Sequence, residues 1–347
     1  MVQSGATAKP GFRLALIATC LALVVVGLGA FTRLKDAGLG CPDWPGCYGH
    51  LLWPNADHEI AAAEQRFPDA PVATDKTWPE MVHRYFAGTL GLTILALAVI
   101  GWRHRRDPGY PFRLSLLLVF LVVWQALFGM WTVTLRLWPQ VVTLHLLGGF
   151  GVLNLLWLLT LRLGNRPWQL GRDPAQRLRE LKPWVALAIV VVAGQIALGG
   201  WISSNYAALA CADLPTCHGK WWPAMEFAQG FNIFQEVGPN YLGGLLESEA
   251  RTAIHVTHRL GAVVVTLVLL ALCGVLRAIA WPGARRVAVA LAAALALQIG
   301  LGIGNVLLAL PLPVAVAHNL GAALVLLVLV TLATRVWTLR QIDVDAG

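Results

Sequence analysis

The chain has 347 residues, of which 57% are hydrophobic and only 13% are charged, whereas soluble domains carry about 25% charged residues. So few charged groups exclude a soluble enzyme, and the high hydrophobicity excludes a disordered chain. The formal net charge of +8 leaves nucleic-acid binding open until the charges are placed. The composition predicts an integral membrane protein.

Eight stretches are apolar enough to cross a bilayer, which requires about 20 predominantly apolar residues. Their interiors contain no Asp, Glu or Lys, and Arg occurs only near their ends. In chain order they are residues 12–31, 83–101, 113–135, 141–162, 183–202, 256–276, 286–309 and 313–335. The first lacks the small-residue cleavage site of a signal peptide, so we interpret it as a retained helix. The predicted fold class is an all-α integral membrane protein with eight transmembrane helices.

The distribution of Lys and Arg gives the orientation of these helices. With the N-terminus inside, 17 of the 26 basic residues but only five of the 18 acidic residues lie on the inner side. We therefore expect a multi-pass protein of the cell inner membrane with both termini cytoplasmic. The basic excess becomes an orientation signal, and nucleic-acid binding loses its support.

The two halves of the sequence repeat each other at a period near 173 residues. Each half holds four spans, which makes a parallel repeat and predicts two tandem parallel four-helix bundles. The halves are residues 1–165 and 183–347, joined by a cytoplasmic linker at 166–182. Long outer, periplasmic loops at 32–82 and 203–255 are expected to cover the bundles as lids. The matching motifs are Cys41-x5-Cys47 with Cys211-x5-Cys217, His83-Arg84 with His258-Arg259, Gln125-x3-Gly129 with Gln298-x3-Gly302, and His145 with His318.

Two histidines in each half are predicted to lie at one depth, near the outer ends of parallel spans. They are His83 and His145 in the first half, and His258 and His318 in the second. Imidazoles at one level on neighbouring helices suit the axial positions of a haem iron. Zinc is less favoured, because no third or fourth ligand recurs beside each pair. A single such histidine is more often an ordinary hydrogen-bonded residue, but the duplication argues against that interpretation.

Charged residues beside these histidines add to the pattern. Arg84 and Arg259 follow His83 and His258, and a guanidinium there could hold a haem propionate. Glu80 stands three residues before His83, on the same helical face, whereas the matching residue of the second half is His255. Glu80 is interpreted as a proton carrier or as a group that supports the ligands of the N-terminal site. The alternative is an acidic residue of a first helical turn beside Pro79.

The outer cysteines are expected to form two local disulfides, Cys41–Cys47 and Cys211–Cys217, because an oxidising outer compartment permits them. The default role is structural, and a redox role of the first pair is the alternative. Cys20 and Cys273 lie within spans and are expected to be buried thiols.

The ordered set of motifs resembles the haem A synthase family over the whole chain. The matching elements are Glu80-x2-His83-Arg84, His145, His258-Arg259, His318 and the two Cys-x5-Cys pairs. The resemblance implies oxidation of the methyl group at pyrrole position 8 of haem O to a formyl group, by successive hydroxylations and loss of water. It also implies a use in making haem A for cytochrome oxidase.

The same resemblance implies a division of labour between the halves. His258 and His318 would bind a haem b cofactor, while His83 and His145 would lie at the substrate haem, with Glu80 needed for turnover. The first cysteine pair would be linked to activity or to electron and haem transfer. Haem O and the lipid bilayer are the expected partners, with haem O synthase and an external electron donor beside them. A homo-oligomer is left open.

Three other functions compete with this one. A diheme, bis-His electron-transfer cytochrome is the main alternative, because the duplication alone allows it. A quinone-linked thiol oxidase is weaker, since neither cysteine pair has the Cys-x2-Cys spacing common in dithiol catalysts. A transporter is disfavoured, because the span interiors lack the charged residues that mark ion routes.

Overall fold

The computed structural model describes residues 7–342. Within that part of the chain, eight helices are long and apolar enough to span a membrane, which confirms the predicted all-α, multi-pass fold class. The two chain ends lie outside the described residues, as do Asp343 and Asp345 of the charge count.

One side of the molecule carries both long loops together with the short α4–α5 and α10–α11 turns, and the other side carries the remaining connections. In chain order the elements are α1 (Phe12–Leu34), α2 (Asp57–Arg66), α3 (Thr74–Arg103), α4 (Phe112–Thr134), α5 (Pro139–Gly164), β1 (Gln169–Leu170), α6 (Arg172–Glu180), α7 (Lys182–Ser204), α8 (Phe227–Gly230), α9 (Ser248–Ala278), α10 (Pro282–Leu307), α11 (Leu312–Trp337) and β2 (Arg340–Gln341). The side that carries both cysteine pairs is called the loop side below.

Two transmembrane helices begin well before the apolar stretches that predicted them. α3 begins at Thr74 and α9 at Ser248, whereas the sequence predicted starts at 83 and 256. Hydropathy detects only the part of a helix inside the hydrocarbon core, and the polar first turns of both helices continue into the loop side. His83 and His258 therefore lie inside long helices instead of at their ends.

Proline and left-handed residues set the ends of several helices. Proline occupies the first helical position of α5 and α10, where its missing N–H is not needed. Arg136 and Leu137 adopt positive φ in the short turn between α4 and α5, and Ala309 and Leu310 do the same between α10 and α11. The two short turns are thus built alike, as the sequence repeat predicts.

Helix packing follows the repeat. In the first half α1 packs on α3, α3 on α4, α4 on α5 and α5 on α1, and the second half pairs α7, α9, α10 and α11 in the same order. The halves meet through α1, α5, α7 and α11, and buried apolar side chains of both halves form one hydrophobic core. Each half therefore encloses an interior lined by four helices.

Polar contacts also join the halves. Trp157 Nε1 of α5 donates to Thr331 Oγ1 of α11 at 2.8 Å. Near the loop side, Arg33 donates to the Tyr206 hydroxyl at 2.8 Å, and that hydroxyl donates to Asp36 at 2.9 Å. These bonds lie at the boundary between the halves and fix their relative position.

The loops on the loop side are closely bound to the helices. The second long loop reaches the first half, where the Tyr241 N–H donates to the Arg136 carbonyl at 3.1 Å and the Gln140 side chain donates to the Ile233 carbonyl at 2.8 Å. On the opposite side, β1 and β2 form a parallel pair that ties the linker between the halves to the end of α11.

Candidate haem site in each half

Each of the four predicted histidines lies against a glycine of a neighbouring helix. A Cβ atom on any of these glycines would lie 3.0–3.5 Å from the Cε1 atom of the imidazole. The contacts are Gly29 with His83, Gly129 with His145, Gly199 with His258 and Gly302 with His318. Glycine at these positions therefore leaves room for the imidazole ring of each histidine.

The two imidazoles of the first half face each other across the bundle. The ring centroids of His83 and His145 are 6.5 Å apart, with the ring planes at 87°. Metal–imidazole bonds are about 2 Å long, so two rings bound end-on to one metal atom have centroids roughly 6 Å apart. Nδ1 of each ring is buried without a hydrogen-bond partner. The pair therefore fits the two axial positions of a haem iron.

In the second half, glutamine side chains contact the histidines. The Gln195 amide donates to the His258 backbone carbonyl at 2.9 Å and lies 3.1 Å from His258 Nδ1. The Gln298 amide nitrogen lies 3.3 Å from His318 Nε2. Two ligands per half suit a macrocycle that supplies its own equatorial nitrogens. Among the described residues, His, Cys, Asp and Glu form no group of three that could hold a bare metal ion.

Gln195 was missed by the sequence reasoning. Its signal is the spacing Gln195-x3-Gly199, which repeats Gln125-x3-Gly129 and Gln298-x3-Gly302 on two other helices. The spacing places each glutamine one turn before the glycine that contacts a histidine. The same spacing on α1 holds Val25 in place of glutamine.

Glu80 and Arg84 bind the first disulfide loop. The Cys41 N–H donates to Glu80 Oε2 at 3.0 Å, and Arg84 donates to Glu80 Oε1. Arg84 also donates to the carbonyls of Asp43 at 3.0 Å and Gly46 at 2.6 Å. Glu80 is only 5% exposed, so the carboxylate lies under the loop.

The interpretation of Glu80 as an acidic residue of a first helical turn is wrong. Asp75 occupies the first turn of α3, which begins at Thr74, and Pro79 lies inside the helix. The Thr32 hydroxyl donates to the Pro79 carbonyl at 3.2 Å. Glu80 therefore lies deeper than a helix start.

In the second half an arginine again binds the disulfide loop, but His255 replaces the acidic residue. His255 Nδ1 donates to the Ala207 carbonyl at 2.9 Å, and Arg259 donates to the carbonyls of Thr216 at 2.8 Å and Cys211 at 2.9 Å. Arg84 and Arg259 thus both hold disulfide loops. Arg259 keeps a buried Nε with no partner, and the predicted contact of both arginines with haem propionates stays a prediction.

Both predicted disulfides are present. Cys41 bonds to Cys47 and Cys211 to Cys217, and each closes a loop that an aspartate organises. In the second loop, hydrogen bonds from the Thr216 hydroxyl and from the Gly219 and His218 N–H groups hold the pKa of Asp213 well below its usual value.

The two other cysteines differ. Cys273 is buried, as predicted, whereas Cys20 is exposed on the outer surface of α1. The prediction of a buried Cys20 was wrong, because a helix facing lipid is apolar on every side and its sequence does not distinguish lipid from core.

Fold and site together define a polytopic helical membrane protein with two histidines at matching positions of each half and a disulfide-closed loop in each half. The profile of the cytochrome oxidase assembly protein family COX15-CtaA matches residues 12–330. The chain belongs to this family, which confirms the resemblance seen in the sequence.

Curated relatives agree with that assignment. The "Heme A synthase" of Shewanella oneidensis is 45% identical over 315 residues, which cover 91% of this chain and 93% of the relative. The "Heme A synthase" of Halalkalibacterium halodurans is 25% identical over 229 residues, covering 65% and 70% of the two chains. That of Alkalihalophilus pseudofirmus is 26% identical over 219 residues, covering 62% and 67%.

Proposed function

We propose that this protein is a haem A synthase, a membrane enzyme that oxidises the methyl group at pyrrole position 8 of haem O to a formyl group by successive hydroxylations and loss of water. The duplicated histidine pair carries this proposal, since each half offers two imidazoles that lie against glycines, and those of the first half are spaced for one haem iron. The family and the relative that is 45% identical over 91% of the chain support it.

Within this function, the C-terminal half (183–347) holds a haem b cofactor through His258 and His318. The amides of Gln195 and Gln298 contact these two rings, which suits a group that stays bound. The N-terminal half (1–165) is the substrate site, where neither His83 nor His145 is hydrogen-bonded to a glutamine. The linker at 166–182 joins the two.

The chain's own groups prepare the substrate site. Haem b, when bound, supplies one-electron redox chemistry. Glu80 lies one turn from His83 on the loop side and is fixed by Cys41 and Arg84. A carboxyl group in this position can carry protons to or from the substrate haem during the oxidation. Its burial under the loop separates it from bulk water.

The charge distribution supports the orientation proposed with this function. Both termini are cytoplasmic, the disulfide loops face the periplasm, and the protein lies in the cell inner membrane. Haem O synthase and an external electron donor are the partners that the reaction needs, because one supplies the substrate and the other supplies electrons. The long apolar tail of haem O stays in the bilayer.

Extraction and chromatography of the bound haems test the proposal. Purified protein should contain haem b with traces of O- or A-type haem and should convert added haem O under reducing, aerobic conditions. We expect His258→Ala and His318→Ala to lose haem b in protein purified without substrate. His83→Ala, His145→Ala and Glu80→Ala should lose conversion but keep the C-terminal haem.

A matched control and the opposing outcome make the test decisive. His104→Ala changes a histidine on the side opposite the loops, where it stacks on Tyr110, and should change neither haem content nor conversion. Two redox-active haems without any conversion of haem O would instead establish the diheme electron-transfer cytochrome.

A further inference from the structure

Three of the four site histidines share a neighbourhood that the fourth lacks. In these three, a glycine follows the histidine by three residues, and a glutamine of the adjacent helix lies against that glycine. We call this a Gln–Gly pair. The pairs are Gln125–Gly148 beside His145, Gln195–Gly261 beside His258, and Gln298–Gly321 beside His318. At His83 the same two positions hold Val25 and Phe86.

The two differences at His83 belong together. A Cβ atom on Gly261 would overlap Oε1 of Gln195, and a Cβ atom on Gly321 would overlap Oε1 of Gln298. Glycine is therefore what makes space for the glutamine side chain. A phenylalanine at position 86 removes that space, and Val25 has no amide that needs it.

The missing amide leaves the His83 ring less restrained than the rings of the C-terminal half. The Gln298 amide nitrogen lies 3.3 Å from His318 Nε2, whereas Val25, at the matching position beside His83, has no amide. Rotation of His258 out of its position would disrupt its contact with Gln195. Rotation of His83 breaks no such contact.

The two histidines of the substrate site differ in this respect. The positions two and three residues after His83 hold Tyr85 and Phe86, which are 45% and 41% exposed. His145, in contrast, keeps Gln125 and Gly148 beside it. Within one substrate site, one histidine thus has a Gln–Gly pair beside it, as both cofactor-site histidines do, and the other has none.

We infer that His83 is the exchangeable ligand of the substrate site, while His145 remains bound as haem enters and leaves. This inference rests on the proposed function, since a substrate haem must be exchanged in every turnover and a cofactor haem must not. In the exchange, the bond between iron and the His83 nitrogen breaks, the electron pair stays on that nitrogen, and no oxidation state changes.

Carbon monoxide is a suitable probe, because it occupies a position on ferrous haem only when an axial ligand leaves. Each site is studied alone in reduced protein, with His258→Ala/His318→Ala leaving the N-terminal site and His83→Ala/His145→Ala leaving the C-terminal one. We expect stopped-flow absorbance to show carbon monoxide binding at least tenfold faster at the N-terminal site. Equal rates, or faster binding at the C-terminal site, would overturn the inference.

Installing the missing pair gives a second measurement. In the N-terminal-site protein, Val25→Gln/Phe86→Gly should slow carbon monoxide binding about twofold to tenfold, the effect of one net hydrogen bond. Phe86→Gly alone is the matched control, because it creates the space without the amide and should not slow binding. If the double variant loses its haem, the comparison of the two sites above still decides.

The outcome separates this inference from the proposed function. Unaltered protein that converts haem O but whose two sites bind carbon monoxide equally would refute only the exchangeable ligand. Protein that never converts haem O refutes the synthase function, whatever the carbon monoxide rates are.

Discussion

Replacing Glu80 by glutamine separates a proton-transfer role from a structural one. The amide oxygen of Glu80→Gln can still accept the Cys41 N–H, and Arg84 keeps its bonds to the carbonyls of Asp43 and Gly46. Hydrogen bonds to charged groups contribute about 1.5–3 kcal/mol and neutral ones about 0.5–1.5 kcal/mol. With two bonds weakened, the variant should lose about 2 kcal/mol of stability and remain folded.

The effect on turnover should be much larger than the effect on folding. A positioned acid or base contributes about 10²–10⁴ in rate, so we expect haem O conversion to fall about 100-fold or more, which is about 2.7 kcal/mol in barrier. The assay is conversion by purified protein, with haems separated by chromatography and the C-terminal haem measured by absorbance. Glu64→Gln, which changes an exposed glutamate of α2, is the control and should keep full conversion.

A single outcome refutes the reasoning. If Glu80→Gln retains more than about a third of normal conversion while Glu80→Ala loses it, the side chain acts by holding the loop and carries no proton. Glu80→Ala alone cannot decide, because it removes the charge and both hydrogen bonds together.

Three further predictions concern the loops and the boundary between the halves. Because the pKa of Asp213 is lowered in the folded protein, its stabilisation of the second disulfide loop is present above its usual value of about 3.8 and is lost as the pH falls below it. Hydrogen exchange of the loop amides should show this loss, and Asp213→Asn should abolish the pH dependence. Cys41→Ser/Cys47→Ser removes a short closed loop that constrains the unfolded chain by about 2 kcal/mol, so limited proteolysis should cut there first while the C-terminal haem stays bound. Trp157→Phe leaves Thr331 without its donor and should lower stability by about 1 kcal/mol, and a double-mutant cycle with Thr331→Val should show that the two effects are not additive.

The sequence predicted the features that depend on composition and spacing. Apolar runs located all eight spans, and the repeated spacing located both disulfides. The starts of α3 and α9 were not predictable in this way. The run of apolar residues ends at the boundary of the hydrocarbon core, whereas the helix continues beyond it.

The partners of Arg84 and Arg259 could not be predicted for a different reason. Both guanidinium groups bind backbone carbonyls of loops, and a backbone carbonyl has no signature in the sequence. The environment of Cys20 was equally hidden, since lipid and protein core select the same apolar neighbours. Gln195 was predictable from the sequence, because its spacing to Gly199 matches the Gln-x3-Gly spacing of two other helices.

The departures from the repeat carry more information about function than the repeat itself. Three positions differ between the halves around the first histidine of each: Glu80 against His255, Val25 against Gln195 and Phe86 against Gly261. The other pair of sites, at His145 and His318, keeps the same glycines and glutamines in both halves. A duplicated scaffold that changes at one ligand out of four can keep one haem fixed and exchange the other. Glu80 lies one turn from His83, the histidine that has no glutamine amide beside it. Proton transfer and haem exchange are therefore expected at the same end of the substrate site.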